Sequence, residues 1–152
     1  MKYNMNPNEL MNEQQQKELK EHFNNPKNNK KLEVYNGKGV CKNPDKNAKT
    51  TIFINVNNNE IVENIGFLIS GCKSTVLSGS LFSDTVKGES IDEGVGLCHE
   101  LLADLEADLS PDKEKPRLVM HAFLAAVENY KDRKNGFKKG EKIKIIRSEE
   151  KD

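Results

Sequence analysis

Residues 49–88 read KTTIFINVNNNEIVENIGFLISGCKSTVLSGSLFSDTVKG, and a change of period inside them decides the fold. From Lys49 to Val56 the pattern alternates strictly. Ile52, Ile54 and Val56 fall on one side, and Thr51, Phe53 and Asn55 on the other. That is a strand signature. NNNE makes a turn and residues 60–70 return, so 49–70 reads as an antiparallel hairpin. After Gly71 the period becomes helical. Val76, Leu77, Leu81 and Val86 share a face that ends at Gly88.

The flanks extend the pattern. Residues 8–23 trace an amphipathic helix with Leu10, Met11, Gln15, Leu19, His22 and Phe23 on one stripe, stopped by Pro26. Residues 32–42 look extended but weak, with two glycines. SIDE at 90–93 is a capping box that opens a helix to about Asp108. Ile91, Val95, Cys98, Leu101, Leu102 and Leu105 make its buried face. A last helix runs to about Lys134 with Leu118, Val119, Ala122, Phe123, Ala126, Val127 and Tyr130 inward. The order of helix, strands and helices predicts an α+β fold: an antiparallel sheet of about three strands with helices on one face. Residues 1–25 form the N-terminal helical segment, 26–134 the α+β domain, and 135–152 a charged tail. In that tail, KIKII can add an edge strand or stay disordered.

Composition narrows the function. The 152 residues fit one domain, and 24 basic against 24 acidic residues leave no net charge. No global field draws in nucleic acid or an anionic membrane. No apolar run approaches the roughly 20 residues of a membrane span. The polar N-terminus lacks a signal-peptide core, so the expected location is cytoplasmic. Cys41, Cys72 and Cys98 are odd in number and far apart, which is not a disulfide framework. No CxxC or CxxH pair offers a self-contained zinc knuckle.

Several stretches, taken in order, carry a resemblance. They are EHFNNPKN (21–28), LEVYNGKG (32–39), NP (43–44), NEIVENIGF (59–67), SGC (70–72), VKGESIDE (86–93) and AAVENYK (125–131). In order and spacing the chain resembles the IscU/NifU-type iron–sulfur cluster scaffolds over about residues 18–134. The resemblance implies the same α+β fold. It also implies a non-enzymatic role in building iron–sulfur clusters on sulfur supplied by a cysteine desulfurase. At the family's site three cysteines and an aspartate hold the cluster, or zinc. Soft thiolates suit iron and sulfide.

Position by position, this chain departs from that set. NPDKNAK (43–49) lies on the family's N-P-x-C-G-D loop, with Lys46 at the cysteine, Asn47 at the glycine and Ala48 at the aspartate. Cys72 matches the second cysteine. Lys115 or Pro116 stands at the third. An ammonium has no lone pair for a metal until it loses a proton, with an ordinary pKa near about 10.4. One thiolate does not hold a cluster, so the usual cluster or zinc site is expected to be lost unless a partner supplies ligands.

Cys72 is then the residue expected to carry chemistry. A helix N-terminus and nearby lysines lower a thiol's pKa, and a thiolate accepts a persulfide sulfur. GCKS (71–74) is similar to the GCQS context of the SufE sulfur acceptors, which suggests a persulfide carrier as the alternative role. An interaction domain without thiol chemistry is the third. Cys41, five residues before Lys46, offers a second metal ligand if the loop rearranges. Cys98 falls on an apolar stripe and reads as core. His99 faces away, and His121 lies near the last helix start. LSPDK (109–113) partly matches the family's L-P-P-V-K chaperone-docking motif, so an assembly chaperone joins the desulfurase as an expected partner.

Overall fold

The computed structural model describes residues 12–70, 74–106, 114–137 and 140–147, with backbone only at 74, 114 and 115. The expectations for Leu10, Met11, Cys72 and LSPDK lie outside these residues. Helix α1 spans Glu13–Asn24, strand β1 Gly37–Asn43, β2 Ala48–Val56 and β3 Val62–Ser70. Helices α2 (Ser74–Val86), α3 (Ile91–Glu106) and α4 (Glu114–Lys134) follow, then β4 (Lys142–Ile145). The expected α+β architecture is present. The sheet has one strand more than expected, in the order β3-β2-β1-β4. KIKII supplies it: β4 lies parallel to β1, with Ile143 beside Val40.

Local chemistry explains the hairpin. Asn57 Oδ1 accepts from the N–H groups of Asn59 and Ile61, folding the turn that brings β3 back onto β2. Ile52 pairs with Phe67 and Ile54 with Ile65, and all four are buried under the helices. Ser90 Oγ accepts from Glu93 N–H at 3.1 Å, so the predicted cap of α3 forms.

Helix α4 is the spine of the core. All seven side chains expected to point inward, Leu118 to Tyr130, are buried. Its backbone rests on two glycines of β1. A Cβ at Gly39 would lie 2.2 Å from both Ala122 O and Ala126 N, and one at Gly37 would lie 2.7 Å from Ala126 O. The LEVYNGKG motif therefore places glycine where helix and strand backbones touch.

Three features differ from expectation. Residues 32–36 do not join the sheet. They cross its other face, where Leu32 covers Gly66 and Tyr35 packs edge-on against Phe53 at 5.1 Å. Phe53 and Thr51 are consequently buried as well. Asn28, with φ +63°, accepts from Phe67 N–H and donates to Ser83 Oγ, tying this segment to β3 and α2. Finally, Phe23 is not on the buried stripe of α1 but 70% exposed. The helix docks through a polar contact instead: His22 Nδ1 meets Ser80 Oγ at 2.7 Å, and Phe23 sits one residue, about 100°, further round.

Candidate functional site

The family-matched positions can be followed along the elements that carry them. Asn43 closes β1 and turns the chain: its side chain accepts from Asp45 N–H at 3.0 Å, and Pro44 starts a single 3₁₀ turn. Lys46 is exposed at the tip. Asn47 holds φ +53°, a left-handed conformation that glycine or asparagine adopts at least cost. Asparagine, which the resemblance sets at a glycine position, is thus a residue that tolerates this turn. Ala48 pairs with Asn43 and is 7% exposed against the core.

Two other elements reach the same end of the sheet. Lys49 pairs with Ser70, the last residue of β3 and two before Cys72. Gly39 lies under Ala122–Ala126. From there β1 rises about 13 Å to Asn43, and α4, running the opposite way, covers about the same distance back to Lys115. The backbone thus brings Lys46, Ala48, Ser70 and Lys115 to one level. The side chain of Lys115 and all of Cys72 lie outside the described residues.

The other two thiols are built into the core. Cys41 pairs with Thr50 and Lys144, is fully buried, and faces α4. Burial pushes its pKa up to about 12, against the opposing pull of Arg117 and Lys144. Cys98 is fully buried with Sγ 3.8 Å from the Met120 carbonyl, and burial alone pushes its pKa up further. Both are therefore thiols, not thiolates, at neutral pH. His121 is half-buried, and burial followed by the charges of Arg117 and Lys144 holds it below the ordinary imidazole value. His99 is exposed on α3. Among the described residues no three His, Cys, Asp or Glu side chains gather to hold a metal ion.

These shifts have a sign. Above about pH 9 an unfolded chain ionises its cysteines while the folded chain keeps Cys41 and Cys98 protonated. The unfolded state then binds fewer protons, so stability falls as pH rises, by up to about 1.4 kcal/mol per pH unit for each thiol. Urea melts between about pH 9 and 11 should show this slope, reduced in Cys41→Ala. An unchanged slope in that variant would mean that Cys41 ionises in the fold.

Sequence reasoning missed the charges around the site. The register sets Lys42 directly opposite Lys49, with Lys46 on the turn between them. Only strand pairing reveals this, because the two lysines are seven residues apart in the chain. Like charges in this position cost stability. Lys49→Glu should therefore raise stability by about 0.2–1 kcal/mol, and less in high salt; a lower melting point in that variant would refute the pairing. Asp45, the acid on this turn, takes Arg147 at 3.3 Å.

Comparisons with known proteins agree with this fold. The family model described as NifU-like N terminal domain matches residues 14–136. An iron-sulfur cluster assembly scaffold protein IscU of Archaeoglobus fulgidus is 33% identical over 127 residues, covering 83% of this chain and 80% of its own length. The mitochondrial iron sulfur cluster assembly protein 2 of Saccharomyces cerevisiae is 31% identical over 120 residues, covering 76% of each chain. The crystal structure of an N-terminal NifU-like protein from Brucella abortus superposes with a TM-score of 0.63 at 12% identity, covering 77% of this chain and 94% of that one. At that identity the likeness speaks for the fold. No described helix is long and apolar enough to cross a membrane.

Proposed function

The chain belongs to the NifU-like N-terminal domain family of iron–sulfur cluster assembly scaffolds, and from that premise we propose that it is a single-thiol accessory of the pathway, one that binds a cysteine desulfurase and does not hold a cluster alone. One observation carries this reading. Lys46 and Ala48 occupy the turn that the resemblance aligns with a ligand loop, while Cys41 and Cys98 are buried as neutral thiols. Cys72 is left as the thiol for chemistry. The iron–sulfur cluster is then cargo assembled elsewhere or with ligands from a second protein. The relatives are named as scaffold or assembly proteins, which agrees with a non-enzymatic role.

A second reading rests on the lysines beside the expected site. Cations favour a thiolate, and a thiolate is the form that takes sulfur. In that role the Cys72 thiolate attacks the outer sulfur of a persulfide on the desulfurase. The S–S bond breaks, the desulfurase cysteine leaves as a thiolate, and Cys72 holds the persulfide. No outside oxidant is needed.

One experiment addresses both. The protein is incubated with a cysteine desulfurase and cysteine, and complex formation and intact mass are read in parallel. Complex formation is expected, and without it the accessory reading fails. A gain of one sulfur in wild type but not in Cys72→Ala supports the relay; no gain leaves the accessory reading alone. Anaerobic addition of iron and sulfide to the free protein should leave it colourless, and a Cys72-dependent chromophore would restore the full scaffold role.

A further inference from the structure

We propose that the hairpin end bearing Lys42, Lys46 and Lys49 is a docking surface for an acidic peptide segment of the partner protein that meets Cys72; the choice of that partner rests on the accessory reading above. The side chains alternate along β1 and β2. Cys41 and Thr50 point to the core, so Lys42 and Lys49 share the opposite face, and both are exposed. Lys46 stands exposed on the turn that joins them.

Among the lysines of the sheet and its turns, these three are the ones to which the described residues bring no carboxylate. Other lysines around the sheet are paired: Lys38 with Glu141 at 3.0 Å, Lys142 with Glu128 at 3.6 Å, and Lys144 with Glu128 at 2.9 Å. Among the described residues no carboxylate pairs with Lys42, Lys46 or Lys49. Asp45, the acid on the same turn, is paired with Arg147, whose charge offsets its own. A directly opposed, unneutralised lysine pair costs stability when the protein is alone. A partner carboxylate laid between the two removes that cost and adds attraction.

The chemistry of the occupant follows from the same features. The chain carries no net charge, so the positive excess is local and short. It suits a few carboxylates rather than a long polyanion. The turn, Pro44 to Asn47, has no aromatic side chain on which a base could stack. The row continues through Lys49 to Ser70, two residues from Cys72. An acidic segment held there therefore positions its protein at Ser70, two residues before Cys72 in the sequence.

The test uses the full chain and fluorescein-labelled octaglutamate, with binding read by anisotropy at about 20 mM and about 200 mM salt. Wild type should bind at low salt. Lys42→Gln/Lys46→Gln/Lys49→Gln should weaken binding by about tenfold or more, while Lys17→Gln/Lys20→Gln/Lys87→Gln should not. Thermal melts accompany each variant, and the first should melt no lower than wild type because a repulsion is removed. Equal losses in both variants overturn the proposal, as does absence of binding by wild type. Tighter binding of a thymidine octanucleotide than of octaglutamate also overturns it, in favour of nucleic acid. Wild type that binds the peptide yet takes no sulfur supports the surface and overturns only the sulfur relay.

Discussion

Gly39→Ala should destabilise the protein by about 3 kcal/mol or more. The added methyl group would meet Ala122 O and Ala126 N at 2.2 Å, and both are backbone atoms of α4. A flexible side chain could swing aside, but a helix backbone must move as a body. That helix carries Leu118, Val119, Ala122, Phe123, Ala126 and Val127 into the core, so lifting it loosens the whole contact. Gly96→Ala is the control. Its Cβ would meet nothing within 4 Å on the exposed side of α3, and alanine there should gain about 0.5–1 kcal/mol. Urea melts compare the two. If Gly39→Ala stayed within about 1 kcal/mol of wild type, the seating of α4 on β1 described above would be wrong.

The second large effect is a gain. Lys46→Cys combined with Lys115→Cys should turn a colourless protein into one that binds iron and sulfide. Position 46 lies at the tip of the β1–β2 turn, and the backbone of α4 brings position 115 to the level of Asn43. Together with Cys72 the double variant would carry three soft thiolates. Ala48→Asp added to it would supply the fourth donor, at some cost, because position 48 is only 7% exposed. Anaerobic reconstitution and a visible spectrum give the readout, with Cys72→Ala in the same background as the control. A folded variant that stays colourless would show that positions 46 and 115 do not converge with Cys72. The accessory role would then need another explanation than lost ligands.

How much of this could be read in the chain depends on the range of the interaction. The change of period at Gly71, the inward face of α4 and the Ser90 cap are local. Each is written within one or two turns of sequence, and each forms. The stripe on α1 failed at Phe23 because the docking contact is a hydrogen bond between His22 and a serine 58 residues away, not apolar burial. The site was legible only as a set of positions, Lys46, Ala48 and Lys115 or Pro116, which the resemblance aligns with ligands. Its surroundings were not legible. Cys41, considered as a ligand at the sequence level, faces the core, a consequence of which way β1 presents its alternate residues to α4.

By itself, then, the sequence determined the type of most elements, the α+β class and the family. Those depend on local propensity and on residue identity. Only the tertiary structure decided that β4 closes the edge of β1, that Lys42 opposes Lys49, and that Cys41 is buried in the core. Strand register and burial are properties of distant segments meeting. A one-residue slip in register would turn every side chain of a strand to the other face, and no local pattern near Cys41 or Lys42 specifies which neighbour it will meet.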